Sequence, residues 1–68
     1  MYTIKREERE NHKGRMKACL YCNGNKIAVM KEGRLRLKTS QKIPQKWLDD
    51  LSAEDANIRN EEAAAGLV

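Results

Sequence analysis

The chain has 68 residues and a mass of 7.8 kDa, room for one small domain. Leu, Ile, Val and Phe together number 12, about 18% of the chain, below the roughly 20% at which a charged chain begins to lose its core. The formal net charge is +4, no apolar run approaches the ~20 residues of a membrane span, and no apolar secretory segment follows Met1, so the chain is expected in the cytoplasm with no membrane partner. A chain this short buries only roughly 60% of its unfolded surface, and it commonly needs a metal, a disulfide, a partner or a second copy of itself.

Residues 1–15 are almost wholly polar after Ile4. Tyr2 and Ile4 alternate as in a short edge strand; otherwise the segment is a polar arm that orders on binding.

Residues 16–38 read as a three-stranded antiparallel meander. Asn23-Gly24 between apolar segments is the strongest short hairpin signal, because both residues tolerate the positive φ of a type I′ turn. A two-residue loop there places Leu20 opposite Ile27 and Ala18 opposite Val29. At the second turn, a two-residue Glu32-Gly33 loop sets Val29 against Arg36. A three-residue loop over Lys31-Glu32-Gly33 sets Val29 against Leu35 and Ile27 against Leu37. Register follows the apolar pattern where a face is buried, so the three-residue loop is expected. One face then holds Ala18, Leu20, Ile27, Val29, Leu35 and Leu37. The other holds Lys17, Cys19, Tyr21, Lys26, Ala28, Met30, Arg34, Arg36 and Lys38. Its cations suit a phosphate backbone, and Tyr21 supplies one ring on which a base stacks.

Pro44 fits the first turn of a helix, with Thr39, Ser40 or Ile43 in the cap region. Ile43, Trp47, Leu48 and Leu51 form a helical apolar stripe that covers the sheet, with Trp47 its largest contributor. The fold class is therefore α+β: a small meander packed against a C-terminal helix, with a core over 16–52. Ser52-Ala53-Glu54-Asp55 resembles a second helix start, where the helix kinks or begins again. Residues 53–68 read as an acidic helical tail, partly frayed, since Ile58 is its one strongly apolar residue before Gly66. Leu67 and Val68 are a free tail or a short docking tip.

The +4 conceals two opposite halves. Residues 1–46 carry 13 basic and four acidic residues, and residues 47–68 carry one basic and six acidic, so the halves are +9 and −5. Such asymmetry suggests a polyanion-binding body with an acidic tail.

Cys19 and Cys22 form a C-x-x-C pair, with His12 seven residues upstream. Two cysteines fall short of the four ligands of a structural zinc site, and on a strand residues three apart point to opposite faces. A metal at His12, Cys19 and Cys22 needs a knuckle turn in place of the hairpin, so neither metal nor cofactor is expected. Free thiols suit a reducing compartment. No catalytic constellation emerges: Asp49-Asp50 and Glu61-Glu62 are helix neighbours that do not face each other, and the glycines have no phosphate-loop spacing.

The expected function is that of a small non-enzymatic regulatory protein. It binds nucleic acid, DNA or RNA, through Lys17, Tyr21, Lys26, Arg34, Arg36 and Lys38. The alternative is a protein-binding inhibitor or adaptor, of the phage-type accessory kind, on a charged surface of a larger nucleic-acid-processing complex. An open sheet edge also invites a homodimer.

Overall fold

In the computed structural model, which describes residues 1–66, the elements are β1 (Tyr2–Arg9), β2 (His12–Cys22), β3 (Asn25–Lys31), β4 (Arg34–Leu37) and α1 (Gln45–Ala64). The strands form one antiparallel sheet in the order β1-β2-β3-β4, and α1 lies across one face of it. The α+β class stands, but the sheet has four strands where three were expected. The extra one is β1, paired from Tyr2↔Cys22 to Glu8↔Met16. Its polar residues are stable in a strand because each face gives them partners. On the helix side Arg6 donates to Glu54 at 2.6 Å and to Glu61 at 2.7 and 2.8 Å. On the far side Glu7 accepts from Lys26.

The first turn has Asn23 at φ 53° and Gly24 at φ 82°, the type I′ signature. Beyond it the register departs from expectation. Tyr21 pairs with Lys26, yet Leu20 pairs with Ala28, so a bulge at Ile27 shifts the rest of β3 by one residue. Ala28 and Met30 therefore face the helix, and Val29 faces away. The bulge keeps Ile27 packed against the core as well. The small Ala18 and Ala28, both fully buried, let the helix approach closely.

The second turn is also corrected. Lys31 pairs with Arg34, so the loop is the two residues Glu32 and Gly33, with φ 53° and 76°. Val29 lies opposite Arg36 without mixing charge into the core, because the bulge has already moved Val29 to the other face. Positive φ at Glu32 is unusual for a side-chain-bearing residue. Two contacts hold the turn: Glu32 accepts from Arg9 at 2.8 Å, and the Gly33 N–H donates to Asp55 at 3.0 Å.

Pro44 sits at the N-cap of α1 rather than inside its first turn, and no side chain among the described residues caps that end. The helix runs without a break through Ser52, and Ile58 joins Leu51, Ala18, Leu20 and Ala28 in the core. Trp47 is only half-buried, stacked on Tyr2 with ring centroids 4.8 Å apart; Leu20 and Leu51 are the largest fully buried apolar side chains. Two buried positions on the helix stripe are acids. Asp55 meets the Gly33 N–H, and Glu62 accepts from the Met16 N–H at 2.9 Å and from Arg15 at 3.0 Å. The Met16 N–H borders the irregular stretch between the Glu8↔Met16 and Arg9↔His12 pairs, where ladder bonding lapses and a carboxylate takes over. The tip or tail expected at Leu67 and Val68 lies outside the described residues. Among the described residues no helix is long and apolar enough to cross a membrane.

Candidate nucleic-acid interface

Strand alternation sends Lys5, Cys19, Val29 and Arg36 to the face away from the helix as one cross-strand row. Cys19 is fully buried and Val29 is 7% exposed, although no second layer covers them. Val29 shares its surroundings with Lys17, Lys26, Lys31, Arg36 and Lys38, residue types whose apolar stems cover sheet surface while their charged ends reach water.

The centre of this face is a basin of about 280 Å³. The β1–β2 hairpin contributes Arg9 and His12, β2 contributes Lys17, and β3 contributes Lys26 and Lys31. Arg36 of β4 and Lys38 just beyond it complete the cationic wall, and the lining also includes the acid Glu10. Arg9 is the most enclosed of these, with a side chain 9% exposed. One of its terminal nitrogens donates to Glu32, while its buried Nε–H has no acceptor among the described residues.

Tyr21 and Lys26 are organised by Glu7. The Tyr21 hydroxyl donates to one carboxylate oxygen, and Lys26 donates to the other at 2.7 Å. Lys5 and Lys26 place their ammonium groups 5.2 and 5.8 Å from the Tyr21 ring centre, within cation–π range. Tyr21 thus gathers two cations around its half-buried ring. The bond from Lys26, and then that from Tyr21, holds the Glu7 carboxyl down to about 2 from its ordinary 4.5. Hydrogen bonds from arginines likewise lower Glu32, Glu54 and Glu61.

These shifts give an acid-side prediction. A carboxylate whose folded pKa is depressed stabilises the fold above its unfolded pKa and loses that contribution as pH falls through the folded value. For Glu7 the window runs from 4.5 down to about 2. The thermal midpoint followed by circular dichroism is expected to hold from neutral pH to about 5 and to drop below it. Glu7→Gln should show a shallower drop; a midpoint equally steep in that variant contradicts this role for Glu7.

The predicted contact residues Lys17, Tyr21, Lys26, Arg34, Arg36 and Lys38 are all placed on the face away from the helix. Lys17, Lys26, Arg36 and Lys38 line the basin, Tyr21 sits beside it, and Arg34 stands at the sheet edge next to the β3–β4 turn. Ala28 and Met30, expected here, lie on the helix side. Sequence reasoning missed Arg9 and Lys31. Arg9 falls in a segment that reads as an arm or as an edge strand confined to its first residues, and Lys31 falls in the expected turn; alternation places both on this face only once the extent of β1 and the bulge in β3 are known. Cys19 and Cys22 lie on opposite faces, since Cys22 pairs with Tyr2 on the helix side. His12 is at the other end of β2, and among the described residues no three His, Cys, Asp or Glu side chains come together. Burial pushes the Cys19 thiol up, away from its reactive form.

The acids of the helix are engaged on the opposite side. Asp49 accepts from Gln45, Asp50 from Tyr2, Glu54 and Glu61 from Arg6, Asp55 from Gly33 and Arg59, and Glu62 from Arg15 and Met16. Among the described residues, Lys17, Lys31, Arg34, Arg36 and Lys38 have no ion-pair partner. The chain matches no family model, no curated protein and no solved structure.

Proposed function

We propose that this protein is a small regulatory factor that binds nucleic acid by its phosphate backbone, using the face of the sheet turned away from α1. The observation that carries this reading is the sorting of charge. The helix acids are engaged by Arg6, Arg15, Arg59, Tyr2, Gln45 and backbone N–H groups. On the other side Lys17, Lys31, Arg36 and Lys38, with no ion-pair partner among the described residues, line the basin together with the paired Arg9 and Lys26.

Lys and Arg in that basin are suited to replacing the counterions of a phosphate backbone, which drives association and carries little sequence information. Tyr21, hydrogen-bonded to Glu7, keeps Lys26 in place and takes no direct part in reading bases. Arg9, pinned by Glu32, presents a fixed positive edge rather than a mobile one. The engagement of the acids also weighs for the basic face over the acidic helix as the contact surface.

Fluorescence anisotropy with a labelled oligonucleotide, single-stranded and duplex, tests the reading. Binding is expected at low salt, with a slope of log affinity on log salt of roughly −3 to −5, set by four to six cations at about 0.7–0.9 each. Salt-insensitive binding, or none at about 50 mM salt, sinks the proposal. In the latter case an acidic protein surface becomes the better candidate for the same face.

A further inference from the structure

Strand β4 is an edge, with β3 on one side and solvent on the other. A two-residue turn makes the flanking pair, Lys31 and Arg34, exchange both backbone bonds, and bonding then alternates along the ladder. Arg34 and Arg36 are thus bonded to β3, and the Lys38 N–H bond to the Ile27 carbonyl at 2.8 Å continues that alternation. Leu35 and Leu37 fall at the intervening positions. Their N–H and C=O groups point out from the sheet, spaced to accept another strand.

The side chains of the same edge are also unfinished. Helix α1 packs over β1, β2 and β3 and does not reach β4. Leu35 and Leu37 project to the helix side yet remain 43% and 54% exposed. Arg34 and Arg36 project to the other side, flanked in sequence by Lys31 and Lys38. The edge therefore offers two apolar positions on one face, two cations on the other, and free backbone groups between them.

A second copy of this chain is a poor occupant. Antiparallel pairing of β4 with itself sets arginines against arginines, and like charges directly opposite destabilise a strand pair. Opposite charges stabilise one. We propose that the outer edge of β4 is a strand-addition site for an extended acidic segment of another protein, in which acidic and apolar residues alternate. The acids would lie opposite Arg34 and Arg36 and the apolar residues opposite Leu35 and Leu37, with backbone bonds to the two leucines. This site shares Arg36 with the basin, but it rests on edge geometry rather than on the nucleic-acid reading, and its test contains no nucleic acid.

The probe is a labelled peptide Glu-Leu-Glu-Val-Glu-Leu, compared with the same composition in blocks, Glu-Glu-Glu-Leu-Val-Leu. Anisotropy should show the alternating peptide binding roughly tenfold more tightly, as expected from a few favourable cross-strand pairs. Amide exchange by NMR should slow at Leu35 and Leu37 and not along β1. Leu35→Pro removes one outward donor while sparing the bonds to β3, and should abolish the preference. If that variant fails to fold, the amide map of the unaltered protein decides alone. Equal binding of the two peptides overturns the proposal, as does protection at β1. Protection of Leu35 and Leu37 that rises with protein concentration in the absence of peptide also overturns it, since the occupant is then a second copy.

Discussion

The double variant Lys31→Glu with Lys38→Glu is expected to bind an oligonucleotide about 100-fold more weakly than the parent at low salt. Both side chains line the basin, both are exposed and neither has an ion-pair partner among the described residues, so the fold should tolerate the change. A charge-assisted hydrogen bond is worth about 1.5 kcal/mol or more, and two of them amount to about two decades in affinity. The salt slope should fall by about 2, one for each phosphate that is no longer neutralised. Lys42→Glu with Lys46→Glu changes the net charge equally but lies away from the basin. It should cost far less, and equal weakening in the two variants means that only overall charge matters.

Leu51→Ala is expected to remove a large part of the protein's stability at 25 °C. Leu51 is fully buried against Ala18, Leu20, Ala28 and Ile58, a core with few large groups to collapse into a void. Such a deletion costs about 3–5 kcal/mol. A domain of this length is stable by roughly 3–10 kcal/mol in total. Urea unfolding followed by Trp47 fluorescence measures the drop in stability. Trp47→Ala, followed by far-ultraviolet circular dichroism, should cost less, because that ring is half-buried at the end of the helix. The reverse order of the two variants means that α1 is not seated as described.

The hairpin at Asn23-Gly24 was legible because its turn chemistry is local. Strand β1 was not, since Lys5 to Arg9 show no apolar alternation and their partners, Glu54, Glu61 and Lys26, lie far along the chain. The register of β3 was unreadable for a different reason. Ile27-Ala28-Val29-Met30 is apolar throughout, so either parity gives an apolar face, and only the helix chooses between them. The basic face survived both register errors because they cancel. The bulge moves the second half of β3 by one residue, and the shorter turn moves β4 back, so Arg34 and Arg36 stay on the expected side and only Ala28, Val29 and Met30 change places. The helix stripe was half legible. Leu51 announces itself, whereas Ile58 reads as part of a frayed tail, and Asp55 and Glu62 read as solvated acids until the Gly33 and Met16 N–H groups they meet are known.

Those two buried acids fix where the helix sits. They are seven residues apart, about two turns or ~10 Å along the axis, and each meets a particular N–H on a different part of the sheet. Sliding α1 by one residue, or rotating it by the corresponding ~100°, removes both bonds at once and strands two carboxylates away from water. A pair of leucines at these sites would bury equally well but would accept several neighbouring positions of the helix. In a core this small, whose sheet side rests largely on alanines, the apolar contacts supply cohesion and the two carboxylates supply the address.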